Sequence, residues 1–490
     1  MFTYALMNLQ AGKFEKALKS AEMLSDIFPD EAEVYNLKAG ILIRQGNLNE
    51  AKTNILRALE KSPTLFSAKF NLAATESRLG NTEISNKLVD ELLILSPQHN
   101  ETLLLRAFNL TKLNRYEEAQ QIYLDILTLN PSNINARERV SELYQQQRDV
   151  KSALYHLDLL LKDNFDNASY LLRKAQLLIE DDRISDAEKT LNVVKNFISS
   201  SPDKLILYSE LMRSVDNNDE AKAAMARAHD LSAYNVFITL RYASLLLDLE
   251  LNEDADKLLS SIGDDKRGTP VYYFLKGRVW ANKGESLRAV RFFKEALELD
   301  PRFAQAIIGM YNFALNQQHV ELFLETTRSL VDKDNTNLLT KNLLAQYLFF
   351  IGEYEESISL YKQLVSEPNL VNPAEAYNRL AIMSIDASLE QASEYANKAY
   401  SLQQNSADIL DTLGHVKALQ GEYEESLKLL RDAFARNAND PKIRYHLGYT
   451  LAKLNRVEEA KQELNYAVNV ERPFYLRPQA QALLDSLSVQ

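Results

Sequence analysis

Residues 271–301, VYYFLKGRVWANKGESLRAVRFFKEALELDP, decide how this chain is built. The run reads as two amphipathic helices separated by a turn at Gly284. Gly277 in the first helix and Ala289 in the second sit where the two helices must approach closely. Tyr273, Trp280, Phe292, Phe293 and Ala296 supply apolar contacts, and Pro301 closes the unit.

The same unit recurs outward in both directions. Steps of 34 from Ala17 reach Ala51, Ser85, Ala119, Ala153, Ala187, Ala221, Ala255, Ala289, Phe323 and Ser357 with no net insertion. After a slip of one residue the ladder resumes at Ala392, Ser426 and Ala460. A second ladder lies twelve residues upstream and includes Ala5, Ala39, Ala73, Ala107, Ser141, Ala175, Ser209, Ala243, Gly277, Ala345, Gly414 and Gly448. Two small positions per unit let the helices of a hairpin, and the next hairpin, pack at short axial distance. Gly46, Gly80, Gly284, Gly352 and Gly421, or Asn114 and Asn455, mark the turns between them. Prolines end the second helix, as at Pro29, Pro63, Pro97 and Pro131, or open the next first helix, as at Pro202, Pro270, Pro373 and Pro441. The count is fourteen units.

Composition agrees with this reading. Only 13 Gly and 12 Pro in 490 residues leave little punctuation for sheets, and 46% apolar residues suffice for a core. No uninterrupted apolar run of about 18 residues suggests a membrane span. A net charge of -12 without a Lys/Arg cluster argues against nucleic acid and makes a basic or neutral partner the easier fit. Zero cysteines exclude disulfides, thiolate metal sites and a Cys nucleophile. No export signal stands at the start, and no cofactor is expected.

Chemistry finds no foothold in the motifs. The six histidines, His99, His156, His229, His319, His415 and His446, fall in different units without the spacing that puts two metal ligands on one helical face. No phosphate-cradling loop or nucleophile elbow occurs. The carboxylate pairs Glu117–Glu118, Glu355–Glu356 and Glu424–Glu425 recur at one place in the unit, as first-turn acids complementing a helix dipole do. The expectation is a chain that is not an enzyme.

Small residue, turn, Ala or Ser, aromatic or aliphatic residue, then Pro: this pattern resembles the tetratricopeptide repeat over nearly the whole chain. The resemblance implies an all-α, right-handed superhelical solenoid of about fourteen helix hairpins, with first helices lining a concave groove that binds a protein or peptide. Positions two, five, nine, twelve and thirteen of each unit then face the groove. They include Asn36, Phe70, Arg78, Phe108, Phe274, Arg278, Asn312, Asn316, Asn342, Gln346, His415 and Tyr449. A solvated groove needs polar residues in any case, but the aromatic ones call for a partner that covers them. The lysine and asparagine clamp of the family's chaperone-tail binders has no counterpart here, and the asparagine ladder of its sugar-transferring members is hinted at only by Asn71.

The expected divisions are 1–263 for units one to eight, 264–472 for units nine to fourteen, and a C-terminal capping helix within 473–490. The polar segment 263–269 marks the first seam. Tyr311 and Phe323 at both small positions of the tenth unit should splay its hairpin, and the twelfth holds the one-residue slip beside 366–374. Drift of a degenerate repeat and a specialised contact surface both account for these irregularities. The first unit lacks its opening turn, which reads as a fragment or processed form with any signal or lipid anchor upstream.

Residues 408–436 and 440–454 resemble the C-terminal end of the large tetratricopeptide lipoproteins of bacterial exosortase (PEP-CTERM) sorting and exopolysaccharide export. Asp411-Thr412-Leu413-Gly414 and Ile443-Arg444-Tyr445-His446-Leu447 carry the likeness, while the lipobox cysteine is absent. It implies a periplasmic or outer-membrane-associated scaffold; otherwise the chain is cytoplasmic. Three functions stay open: a scaffold, the recognition arm of an enzyme whose catalytic domain lies outside the chain, and a cytoplasmic chaperone-like adaptor.

Overall fold

In the computed structural model the described residues are 1–232, 235–472 and 474–488, so Pro473, Val489 and Gln490 of the expected cap region lie outside them. Every regular element among them is a helix. The chain divides into two compact units, Met1–Ala233 and Tyr234–Gln490. The polar segment 263–269 lies inside the second.

The first unit holds seven antiparallel hairpins. They are α1 (Phe2–Gln10) with α2 (Phe14–Ile27), α3 (Ala32–Gln45) with α4 (Leu48–Lys61), α5 (Phe66–Arg78) with α6 (Thr82–Leu95), and α7 (Asn100–Lys112) with α8 (Tyr116–Leu129). α9 (Ile134–Gln146) then pairs with α10 (Val150–Asp163), α11 (Ala168–Glu180) with α12 (Ile184–Val194), and α13 (Pro202–Ser214) with α14 (Asn218–Leu231).

The second unit holds another seven. They are α15 (Val236–Asp248) with α16 (Asn252–Ser260), α17 (Pro270–Asn282) with α18 (Ser286–Leu299), α19 (Ala304–Leu315) with α20 (Val320–Lys333), and α21 (Leu338–Ile351) with α22 (Tyr354–Leu364). α23 (Pro373–Ser384) pairs with α24 (Leu389–Leu402), α25 (Ala407–Leu419) with α26 (Tyr423–Arg436), and α27 (Pro441–Lys453) with α28 (Val457–Asn469). α29 (Arg477–Ser488) then lays Ala480 and Leu487 on Leu464 and Ala467 of the last hairpin.

Within each hairpin the two small ladders meet. Ala17, Ala51, Ala119, Ala153, Ala187, Ala221, Ala289 and Ala460 are fully buried. At four of the five serine positions the hydroxyl donates across the hairpin to the carbonyl of the residue twelve positions away, while Ser426 instead bonds the Thr450 hydroxyl of the next hairpin at 2.9 Å. Ser85 reaches Ala73 at 2.8 Å, Ser141 reaches Ala153 at 2.9 Å, Ser209 reaches Ala221 at 2.7 Å, and Ser357 reaches Ala345 at 2.8 Å. A buried hydroxyl is thereby satisfied without widening the contact.

The turns repeat as strictly as the helices. Gly12, Gly46, Gly80, Asn114, Arg148, Asp182, Asp216, Glu250 and Gly284, at successive steps of 34, all have positive φ. The hairpin needs one left-handed residue there to end the first helix, and glycine takes that conformation without strain. Pro202, Pro270, Pro373 and Pro441 open α13, α17, α23 and α27, where a missing N–H costs nothing.

The tenth hairpin departs from the rule. α19 and α20 approach closely over a shorter stretch than the helices of any other hairpin among the described residues. The gap is filled by rings: Tyr311 lies 5.8 Å from Phe323, and Phe323 lies 5.2 Å from Tyr347. One hairpin earlier, Phe293 is sandwiched by two glycines. A Cβ on Gly277 would come within 2.4 Å of its ring, and one on Gly309 within 2.7 Å. The slip of the twelfth unit is absorbed between α22 and α23, where Asn372 adopts positive φ and caps α23 through Glu375 N.

Gly277→Ala should therefore lower the urea midpoint by an amount equivalent to about 2 kcal/mol, from overpacking against Phe293. Gly46→Ala should cost only about 1 kcal/mol, because nothing lies within 4 Å of its Cβ position and only the positive φ is strained. Restoration of the midpoint in Gly277→Ala/Phe293→Leu would assign the loss to the ring; equal losses in the two single variants would refute it.

Candidate functional site

In the first unit a cleft of about 320 Å³ lies between the first helices α5, α7 and α9. Leu104, Leu105 and Phe108 of α7 line it, with Ala74, Ser77 and Arg78 from α5 and Asn135, Glu138 and Arg139 from α9. Phe108 keeps 37% of its surface exposed, and the Lys112 ammonium stands 5.0 Å from its ring centre. Lys112 also donates to the Ser77 carbonyl at 2.6 Å, which fixes it at the mouth. Arg78 is exposed and makes no ion pair among the described residues. Across the cleft, Arg139 pairs with Glu142 at 2.6 Å, and the Tyr170 hydroxyl donates to the Glu138 carboxylate. Burial pushes the Tyr123 phenol up to about 12, so the back wall is neutral.

The other expected groove residues are distributed as follows. Asn36 and Asn71 bond each other at 2.8 Å, and Asn36 also reaches Ser67 at 3.0 Å, tying α3 to α5. Phe70 packs partly buried beside Val89 and Leu92, with its ring edge-on to His99. Asn312 is exposed, and its carbonyl accepts from Asn316 at 2.9 Å; Asn342 is half-buried, and Gln346 accepts from the Tyr311 hydroxyl at 3.3 Å. Arg278 pairs with Asp248 at 2.9 Å. Phe274 is half-buried, with its ring 5.6 Å from Phe293 and 5.7 Å from Phe303, against the core of hairpins nine and ten. A ring between two others is packing, whatever its position in the repeat.

His415 is likewise drawn inward. It stacks on His446 with centroids 3.9 Å apart and planes 11° apart, while Tyr449 meets it edge-on at 6.4 Å. Beneath the pair, fully buried Asp411 accepts from His446 Nδ1 at 2.8 Å and faces Lys442 Nζ at 3.1 Å. Burial alone would raise the Asp411 pKa, but His446 and Lys442 outweigh it and hold the carboxyl far below the usual range. Burial, followed by the neighbouring His446, pushes the His415 imidazole well below its ordinary value.

The structure thus joins Arg78 to Phe108 and His415 to Tyr449, and leaves the remaining expected residues at separate places. Sequence reasoning passed over Arg44 and Lys112, which a step of 34 on either side of Arg78 would have found. It had no signal for the buried contacts of Asp411. Among the described residues no cluster of His, Asp and Glu could hold a metal ion, and no helix is long and apolar enough to cross a membrane.

Sequence profiles of the tetratricopeptide repeat match residues 32–64, 101–133, 271–303 and 417–487. They mark those stretches as tetratricopeptide repeats, and the helix hairpins described above continue the same all-helical repeat architecture on either side of them; proteins built from such repeats are generally protein-interaction scaffolds. The TPR repeat-containing protein YpiA of Bacillus subtilis is 22% identical over 62% of this chain and 71% of its own length. The human protein O-mannosyl-transferase TMTC3 is 23% identical over 65% of this chain and 37% of its own length. The transcriptional regulator HilA of Salmonella typhimurium is 28% identical over 29% and 27% respectively. Among solved structures, the APC/C hetero-tetramer Cut9–Hcn1 aligns over 99% of this chain and 95% of that one, with 14% identity and a TM-score of 0.40.

The residues that carry the likeness to exosortase-linked lipoproteins have local structural work. Asp411 and His446 form the buried pair, and a Cβ on Gly414 would lie 2.7 Å from Leu430. The Arg444 guanidinium sits 4.6 Å from the Phe434 ring and 3.9 Å from that of Tyr466.

Two outcomes follow for the second unit. Phe274→Ala should cost about 3 kcal/mol of stability, read as a lowered urea midpoint; an unchanged midpoint would return Phe274 to the partner-facing face. His415 binds its proton less readily folded than unfolded, so the unfolded chain gains protons first as pH falls below 6.5. The stability this site contributes is present above that value and is lost progressively beneath it. The depressed Asp411 carboxyl adds stability that is present above its unfolded value of 3.8 and lost as pH falls towards its folded one. Amide protection factors in 407–453, corrected for the intrinsic pH dependence of exchange, should fall between about pH 6.5 and 5, and His415→Phe should flatten that dependence. A slope unaltered in His415→Phe would exclude the stacked pair as its source.

Proposed function

We propose that this chain is a non-catalytic scaffold that holds a protein or peptide partner along its first-helix face. The observation that supports it best is the cleft between α5, α7 and α9, which keeps the Phe108 ring over a third exposed beside an unpaired Arg78. An aromatic ring held open to solvent gains from being covered, and a guanidinium without a partner is available to pair with one. Extended segments suit such a face because amides such as Asn135 can bond their backbone while side chains enter the cleft.

A narrower form of the proposal places the scaffold in exopolysaccharide export or exosortase-linked sorting at a bacterial envelope. Its support is the run 408–454, whose residues also serve local packing. A second reading, the recognition arm of an enzyme, draws on the alignment with TMTC3, a named transferase of which the matched region is 37%.

A photo-crosslinking amino acid at position 108 should trap a partner in the native host, while one at Gln121 on the outer helix α8 should not. Phe108→Ala with Arg78→Ala should weaken retention of that partner roughly tenfold while leaving the melting temperature unchanged, since both side chains are exposed. Equal trapping at both positions, or equal loss of stability and retention, would overturn the reading.

A further inference from the structure

Arg44, Arg78 and Lys112 stand 34 residues apart in the last turns of α3, α5 and α7, at one position of three consecutive first helices. The chain as a whole is acidic, and several cations elsewhere in this unit find carboxylates, among them Lys52 with Glu76, Lys69 with Glu91, Arg106 with Asp90 and Lys174 with Asp158, while others such as Lys16, Lys87 and Lys204 make no ion pair among the described residues. Arg44 and Arg78 are exposed and have no such partner among the described residues, although 68 acidic side chains are available in the sequence. A cation in a last turn also complements the helix dipole, which is worth only about 0.3–1 kcal/mol at an exposed site. That accounts for one such residue at a time. It does not account for a cation at one position of three consecutive first helices, of which Arg78 lines the Phe108 cleft and Lys112 stands 5.0 Å from the Phe108 ring.

The local carboxylates are already engaged. Glu142 takes Arg139 and lies 3.6 Å from Arg173, and Glu138 accepts from Tyr170. The mouth of the cleft therefore carries the opposite sign to the chain.

We infer that the first-helix face of α3, α5 and α7 receives an extended acidic peptide segment, with one apolar side chain entering the cleft beside Phe108. The inference rests on the scaffold reading above and specifies the chemistry of the partner. Neighbouring packed helices lie about 8–10 Å apart, and an extended chain rises about 3.3 Å per residue. Carboxylates at every third residue would therefore meet the three cations in turn. The leucine-lined floor, Leu104 and Leu105 beside Phe108, suits an aliphatic side chain better than a nucleobase.

Fluorescence anisotropy with the full chain tests this. The probe is a labelled synthetic peptide of about twelve residues, with glutamate at every third position, one leucine, and serine or glycine elsewhere. It should bind at least about tenfold more tightly than the same peptide with lysine replacing glutamate, or with its glutamates gathered at one end, and added salt should weaken it. Arg44→Glu with Arg78→Glu should reduce affinity roughly tenfold at unchanged melting temperature. If charge reversal unfolds the chain, Arg44→Gln with Arg78→Gln is used and should lower affinity severalfold. Equal binding of the glutamate and lysine peptides, tighter binding of an oligouridylate of the same length, or indifference to both double variants would overturn the inference. Trapping at position 108 together with any of these results would sink the acidic segment alone; loss of both would sink the scaffold reading as well.

Discussion

Everything in this chain depends on two helices touching at residues too small to hold them apart. The contact recurs every 34 residues, between positions twelve apart, and the serine variants show how demanding it is. A hydroxyl is admitted because the facing carbonyl accepts its proton at under 3 Å, so close approach and polar satisfaction come from the same geometry. A longer side chain would give up both. Repetition of this contact makes each hairpin the template for the next, and stability becomes a sum over neighbours rather than the property of one core.

The exceptions are informative because each is compensated nearby. Between Phe274 and Tyr347 large rings occupy places that small residues hold elsewhere, and the glycines Gly277 and Gly309 make room on both sides of Phe293. Volume is conserved across two hairpins rather than within one. At the C-terminal end the compensation is electrostatic. A buried carboxylate on α25 is tolerated because an ammonium and an imidazole from α27 reach it, and the stacked second imidazole stays neutral. Both show how a repeat stays in register when its consensus positions are filled by the wrong sizes or charges.

Net charge alone does not describe the first-helix face around α5 and α7. An excess of acids favours basic partners only if charge is spread evenly, whereas the face around α5 and α7 gathers cations whose local carboxylates are spent on other bonds. Affinity and specificity follow the potential at the cleft, and screening over about 8–10 Å makes distant acids weak competitors.

By itself the sequence determined the number of hairpins, the helix boundaries near Pro270, Pro373 and Pro441, and which residues keep helices close. These follow from periodicity and backbone constraint, both local and repeated. It places Arg78 and Phe108 on first helices, and the structure sets both on one cleft between α5, α7 and α9. The sequence does not show that Phe274 and His415 pack against neighbouring rings. Only the tertiary structure decided these cases. Whether a groove-facing ring stays open depends on the residues 19 to 31 places away that happen to fill the space beside it, Phe293 and Phe303 for Phe274 and His446 for His415. No periodicity encodes that match of shape and charge.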